Sequence, residues 1–367
     1  MKKLVALLLA IILCSASCIA LADDAAVWEL PNKSDKLHTR LLFSRASMVT
    51  ILTGEYTINR TTSRFNVDGV DLGSMAEMNG KVYMFGGDTF DSVKKRTGWR
   101  SNVLFIIEDD DPSDGLTITG AITDENGHAK ELLPSAKVDH AQMTVIPTNI
   151  FAVDNTLYCI YMSVKHWDEQ GGVWTCGYSG LAKSTDEGQT WEMLDDVKWP
   201  GDSNFIQTAN SQVGDTMYIW GIPSGRFGGV ALMKCNVNEL ENYEAYEYFT
   251  GTDDAGNPQW VKGSDGVYQA KVIIDAPVGE ISCMYNEYLG NYVMLYIREG
   301  YGVVMREGIT PWGKWGKEIN LNTKGYGNYM LPKYTEENGR IFYFTTSHYF
   351  PIYNIYWMKL ELPKKLD

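Results

Sequence analysis

Asn79-Gly80-Lys81-Val82-Tyr83-Met84-Phe85-Gly86-Gly87-Asp88 reads as a tight polar turn followed by an aromatic and aliphatic strand that ends in small and acidic residues. Asn-Gly before alternating apolar residues is a hairpin signal. The same pattern returns four times. Asp154-Asn155 leads into L-Y-C-I-Y-M, Gly214-Asp215 into M-Y-I-W-G, Gly290-Asn291 into Y-V-M-L-Y, and Asn338-Gly339 into I-F-Y-F-T-T. A second apolar run follows each copy: N-V-L-F-I-I from Asn102, G-L-A-K-S from Gly180, G-V-A-L-M-K from Gly229, G-V-V-M-R from Gly302 and N-I-Y-W-M-K from Asn354. Between these runs the chain has no convincing amphipathic helix, so the class is all-β.

The first residues bound the repeating part. Lys2 and Lys3 precede an apolar run over 4–13, and small residues end in Ala20-Leu21-Ala22, the pattern of a secretory signal peptide cleaved after Ala22. The apolar run is too short to span a bilayer. Neither Cys14 nor Cys18 sits in a lipoprotein context, so the expectation is a chain secreted or exported to the periplasm, without stable membrane insertion. Removing residues 1–22 from the 367 leaves 345, or about 69 for each of five repeats. That length suits a four-stranded blade with long loops. The predicted architecture over 23–367 is a single, monomeric five-bladed β-propeller with four-stranded blades. A β-sandwich also uses short strands, but nothing in it requires five copies of one hairpin.

One repeat carries S-T-D-E-G-Q-T-W over 184–191, an Asp-box hairpin. Its expected role is structural, with Asp186 closing a turn and Trp191 packing between blades. Charge narrows the substrate. The net charge of −14 becomes −16 once Lys2 and Lys3 are lost, which disfavours nucleic acid, anionic lipid and polyanionic glycans and suits a neutral polysaccharide. Cys159, Cys176, Cys235 and Cys283 contain no C-x-x-C pair, which argues against structural zinc. They are either partly bridged, Cys159 to Cys176 being the local pairing, or buried free thiols.

In a propeller only the innermost strand of each blade reaches the axis, and those strands lie just before the five hairpins. The residues found there are Asp71, Gln142 and Thr144, Asn204 and Gln207, Glu280, and Tyr329. Asp88, in G-G-D-T, adds an acid where the first hairpin strand ends, beside glycines that would let a sugar approach the backbone. Asp71, Asp88 and Glu280 are therefore the candidate catalytic carboxylates. Glycosidic cleavage needs two carboxyl groups with separated pKa values, one to protonate the leaving oxygen and one to attack or to activate water. The competing explanation makes Asp71 and Asp88 turn residues and pairs Glu280 with an arginine. Trp99, Arg100, Arg226 and His348 are candidates for binding substrate, each with a packing or hydrogen-bonding role as its alternative.

The segments V-D-G-V-D-L-G, F-G-G-D-T-F, W-R-S-N-V-L-F, T-V-I-P-T, S-T-D-E-G-Q-T-W, G-I-P-S-G-R-F-G-G-V-A-L and V-G-E-I-S-C-M-Y-N-E-Y-L-G-N-Y-V-M-L-Y occur in that order. Together they resemble a family long labelled a domain of unknown function, which includes endo-D-arabinanases of the actinobacterial cell wall. The resemblance runs from about Thr50 to about Leu360. It implies a five-bladed propeller that cleaves α-linked D-arabinofuranose chains internally, with Asp71 and Asp88 as the acid and base pair by motif match. Glu280 is carried over by analogy with five-bladed arabinanases and fructosidases that use two aspartates and a glutamate.

Other chemistries lack their signatures. There is no H-E-x-x-H, and His38, His128, His140, His166 and His348 are scattered, so no metal and no cofactor are expected. Ser92-Val93-Lys94-Lys95 matches S-x-x-K only by letter, in a loop of a β chain. The acidic stretch 108–114 lacks EF-hand spacing and reads as a solvated hairpin tip. The alternative to a glycoside hydrolase is a propeller that binds glycan or protein without cutting it.

Overall fold

Each of the five polar turns reverses the chain between the first and second strands of an antiparallel unit. A computed structural model describes residues 26–367; the expected signal peptide over 1–22, with Cys14 and Cys18, lies outside the described residues. Strand β1 (Arg45–Ile51) precedes the repeats. The first repeat contains β2 (Gly69–Met78), β3 (Lys81–Phe90), β4 (Val103–Ile107) and β5 (Ile118–Ala121). The second contains β6 (Thr144–Val153), β7 (Thr156–Trp167), β8 (Trp174–Ser184) and β9 (Glu192–Pro200). In the third, β10 (Gln207–Val213), β11 (Thr216–Ile222), β12 (Gly228–Asn236) and β13 (Glu247–Thr252) are extended by β14 (Pro258–Lys262). The fourth has β15 (Ile274–Asn286), β16 (Asn291–Arg298) and β17 (Gly302–Thr310), with β18 (Gly313–Trp315) and β19 (Ile319–Asn320) both pairing β17. The fifth has β20 (Met330–Glu336), β21 (Ile341–His348) and β22 (Asn354–Glu361), and β1 pairs antiparallel with β22 as its fourth strand.

The turn residues explain why these strands meet. Asn79 and Gly80 have φ of 54° and 77°, and Asn338 and Gly339 have φ of 58° and 95°, a region that asparagine tolerates and glycine enters freely. The first, second and fifth repeats are separate four-stranded sheets, whereas the third and fourth join into one ten-stranded sheet. The joint is a short ladder, Gly228 opposite Val278 and Val230 opposite Ile274. First strands pack side by side in a closed circuit: β2 with β6, β6 with β10, β10 with β15, β15 with β20, and β20 with β2. Side chains tie this ring to the backbone. Ser74 Oγ accepts from the Ile150 N–H at 3.1 Å, and Ser282 Oγ accepts from the Met330 N–H at 2.9 Å.

Apolar clusters fill the spaces between consecutive repeats. Phe85 and Leu104 meet Tyr161, Trp199 meets Tyr248, Trp220 meets Tyr292, Leu295 meets Phe344, and Trp357 closes the circuit against Phe105. Both faces of each repeat are thus covered by apolar neighbours, so burial holds the ring together. The turn over 184–191 is closed by Asp186, which accepts from the Ser184 hydroxyl at 2.7 Å and from the Thr190 N–H at 2.9 Å. Trp191 lies 5.2 Å from Phe85 of the first repeat. Residues 108–114 fall in the β4–β5 connection.

The Cys159 to Cys176 bridge does not form, and all four cysteines are buried free thiols. Across the β7–β8 ladder Cys159 faces Ala182 while Cys176 faces Val164. The two cysteines are therefore offset by several residues at roughly 3.3 Å each, far beyond the roughly 4.4–6.8 Å that a disulfide spans between Cα atoms.

Candidate active site

Extra residues in the ladders aim the functional side chains. Between Gly279 and Ile281 of β15 the partner strand advances by one residue, from Ile297 to Tyr296, so Glu280 is the bulged residue. Thr148 is bulged in the same way between Pro147 and Asn149 of β6. At β2, Val70 faces Thr89 and Leu72 faces Gly86, which sets Gly87 and Asp88 together opposite Asp71. Bulges re-aim side chains out of the strict alternation of a strand. Here Asp71, Thr148 and Glu280 all open into one cavity of about 1000 Å³, which Asp88, Gln207, Arg226, Tyr326 and Tyr353 also line. Leu72 carries the backbone cost of this arrangement, with φ of 65°.

Gly86 and Gly87 do not serve as an approach for sugar. A Cβ on Gly87 would lie 2.5 Å from Asp71 Oδ1, and one on Gly86 would lie 2.4 Å from Val70 Cγ2. The glycine pair makes room for β2, because Asp71 packs directly on the backbone of β3. Asp71 Oδ2 accepts from the Tyr326 hydroxyl at 2.9 Å, while Oδ1 is buried without a protein hydrogen-bond partner. Asp88 Oδ1 accepts from the Trp99 indole at 2.7 Å and from the Thr144 hydroxyl at 2.9 Å. The Tyr353 hydroxyl donates to the Asp88 carbonyl at 3.0 Å.

These surroundings raise both carboxyl groups by different amounts. Burial, then the charge of Asp88, pushes Asp71 up to about 7 against the nearby Tyr353 hydroxyl and the hydrogen bond from Tyr326. Burial also pushes Asp88 up, but Trp99, Thr144 and the Lys137 ammonium oppose it and leave it at about 6. The more weakly solvated carboxylate keeps its proton longer. Two interacting acids of unequal pKa in one cavity can give and take a proton near neutrality.

Glu280 is held differently. The Arg226 guanidinium donates through Nε to both Glu280 oxygens at 3.0 Å and through Nη2 to Oε1 at 2.8 Å. Its Nη1 donates to Glu299 at 3.1 Å, and the guanidinium lies 4.6 Å from the centre of the Tyr326 ring. Glu280 therefore sits in the cavity as the anionic half of a forked ion pair, which orients Arg226 beside the ring that holds Asp71. The Arg226 N–H also donates to the Gly172 carbonyl at 2.9 Å, fixing the 168–173 loop that forms part of one wall.

The remaining predicted binding residues lie elsewhere. Trp99 touches Asp88, and one face of its ring is covered by Lys137 Nζ at 4.0 Å, so it is a partner of the carboxylate instead of a sugar platform. Arg100 donates to the Ala129 and Asn66 carbonyls, each at 2.7 Å, and ties loops together outside the cavity lining. His348 packs its ring 4.4 Å from that of Tyr356 at the end of β21 and is also outside the lining. Tyr326 and Tyr353 were not anticipated. They lie in the glycine- and aromatic-rich stretches G-Y-G-N-Y and F-P-I-Y-N that flank β20 and β21, and that clustering was the available signal.

Comparison with known proteins bears on this arrangement. The family described as a domain of unknown function (DUF4185) matches residues 57–359. Notoamide biosynthesis cluster protein J of Aspergillus sp. (strain MF297-2) is 25% identical over 309 residues, covering 76% of this chain and 79% of that protein. Among solved structures, a Bacteroides ovatus ATCC 8483 protein described as a "putative hydrolase" superposes with a TM-score of 0.57 at 11% identity, over 81% of this chain and 86% of that one. An exo-β-1,3-galactanase from Phanerochaete chrysosporium, with β-1,3-galactotriose, gives a TM-score of 0.51 at 10% identity, over 87% and 67% of the two chains. At these identities the shared property is the fold.

Proposed function

This chain belongs to the DUF4185 family, and from that premise we propose that it is an exported glycoside hydrolase on a five-bladed propeller, cleaving D-arabinofuranose chains of a neutral polysaccharide internally. The carrying observation is the pair Asp71 and Asp88, which line one cavity with pKa values raised to about 7 and about 6. Asp71, the weaker acid, protonates the leaving oxygen. Asp88, kept ionised by Trp99 and Thr144, attacks the anomeric carbon or activates water. Glu280 acts through Arg226 as a positioning residue. The blade count rests on the closed circuit of five first strands and on the turn over 184–191, read as an Asp-box. The choice of D-arabinan rests on the ordered motifs quoted above. The rim supplies ring faces for a chain longer than one sugar, with Trp167 and Tyr349 both at the cavity edge.

The test is incubation of residues 23–367 with mycobacterial arabinogalactan and with plant arabinans, xylans and fructans, followed by chromatography of the released oligosaccharides. Arabinose oligomers from the mycobacterial polymer are expected. Asp71→Asn and Asp88→Asn are each expected to lower turnover by roughly a thousandfold or more while circular dichroism stays unchanged. Turnover within tenfold of wild type removes that residue from the pair, and a folded protein inactive on every glycan returns the chain to the binding propeller.

A further inference from the structure

Two of the five scattered histidines are brought together away from the carboxylate pair. We propose that Asp139, His140 and His166 form a binding site for a late first-row divalent cation, Zn²⁺ foremost, at the rim beside the 168–173 loop. Each side chain offers one ligand atom, and the three atoms lie within 4.8 Å of one another. His166 Nδ1 is 2.7 Å from Asp139 Oδ1, His140 Nε2 is 3.6 Å from Asp139 Oδ2, and the two imidazole rings stack at 4.1 Å with 17° between their planes.

The local backbone is built to hold this stack. His140 has φ of 60°, a left-handed conformation uncommon for a residue other than glycine and favoured by turns. Its N–H donates to the Lys165 carbonyl at 2.8 Å, and the Gln142 N–H donates to the Val138 carbonyl at 2.9 Å, closing a turn over 138–142. The Gln142 side chain donates to Ser163 Oγ at 3.0 Å, so the turn is fastened to β7, the strand that carries His166. Twenty-six residues separate the histidines in sequence, and the antiparallel return of β7 past the start of β6 cancels that distance.

Donor chemistry selects the ion. Two imidazoles and one carboxylate suit Zn²⁺, Cu²⁺ or Ni²⁺ and leave coordination positions open to water, whereas Ca²⁺ and Mg²⁺ demand mainly oxygen ligands. With metal bonds of about 2.0–2.2 Å, two donors on one ion lie at most about 4 Å apart. Closing the site therefore takes a movement of about an ångström or less, and the ion takes the place of the proton between Asp139 and His166. The side chains are 50%, 74% and 35% exposed for Asp139, His140 and His166, which leaves them free to make that adjustment and open to ions from solvent. Because His166 adjoins Trp167, a bound ion would brace the cavity wall.

The experiment titrates the tag-free protein with Zn²⁺ in competition with a chromophoric chelator, with Ca²⁺ as the control. One equivalent of Zn²⁺ bound at about 10 µM or tighter is expected, with no Ca²⁺ response. The double variant His140→Ala/His166→Ala should lose at least a hundredfold in affinity, and Asp139→Asn about tenfold. Cu²⁺ electron paramagnetic resonance should show hyperfine coupling to two imidazole nitrogens in the wild type alone. The proposal fails if the wild type retains no equivalent, or if the folded double variant binds Zn²⁺ with unchanged stoichiometry and affinity. Neither result bears on hydrolysis, which rests on other residues.

Discussion

Trp99 lies next to Asp88 in space because the chain turns back within eleven residues, and its indole N–H is one of two donors that hold the carboxylate ionised. A hydrogen bond to a charged group contributes roughly 1.5–3 kcal/mol, equivalent to a pKa change of about one unit or more. Trp99→Phe removes the donor and raises the Asp88 pKa. The acid limb of the pH–turnover profile should then move to higher pH by about one unit while the alkaline limb, set by Asp71, stays where it is. Asp71 itself affects stability in a direction that follows from linkage. Its folded pKa of about 7 exceeds the ordinary 3.8, so the folded state holds a proton that the unfolded chain releases between those values. Stability is therefore lost as pH rises through that window. Asp71→Asn should be more stable than wild type at pH 7, by on the order of 1–4 kcal/mol, and melt at a higher temperature, with the gap closing towards pH 4. Both aspartates were legible in the sequence from their place in the repeat. The role of Trp99 was not, because it depends on which atom of a neighbouring loop its indole reaches.

Bulges in the ladders between first and second strands decide which side chains reach the cavity. Asp71, Thr148 and Glu280 each lie where one strand has a residue more than its partner, so they escape the alternation that would otherwise set their direction. Gly87 makes the first of these possible. Gly87→Ala would bring a methyl group to 2.5 Å from Asp71 Oδ1 and 2.9 Å from Leu72 Cδ1. Overpacking of this kind costs about 1–3 kcal/mol, and a displacement of the carboxylate by about 1 Å costs about a hundredfold in rate. Turnover should fall by that factor with a modest decrease in melting temperature. An unchanged rate would mean that Asp71 does not act from the position it occupies here. The sequence shows the glycine pair but not its use, since the same G-G serves a ligand approach or a close strand contact. Cys159 and Cys176 illustrate the same limit: each lies in a recognisable strand, but ladder register sets them apart.

Closure of the ring joins the two ends of the described chain. Strand β1 pairs with β22 from Arg45 opposite Glu361 to Ile51 opposite Tyr356, and the Leu52 N–H donates to the Ile355 carbonyl at 2.8 Å. Without β1, the edge of β22 would expose unpaired backbone next to Trp357 and Ile355, which are otherwise fully buried. A chain beginning at residue 52 should lose cooperative melting and aggregate at concentrations where residues 23–367 remain monodisperse by size-exclusion chromatography. Sharp melting of the truncated chain at the wild-type temperature would show that closure contributes nothing to stability.

The sequence by itself determined the all-β class, the five repeated hairpins and the turn over 184–191, because strand period, turn chemistry and capping hydrogen bonds act within a few residues of one another. It also singled out Asp71 and Asp88, whose positions relative to the repeat are local. Only the tertiary structure decided that Glu280 is committed to Arg226, that Arg100 and His348 lie outside the cavity, that Tyr326 reaches Asp71, and that Asp139, His140 and His166 meet. Those outcomes depend on bulges, ladder register and ring closure. Such features set distances between residues far apart in the chain, and no short stretch of sequence encodes them.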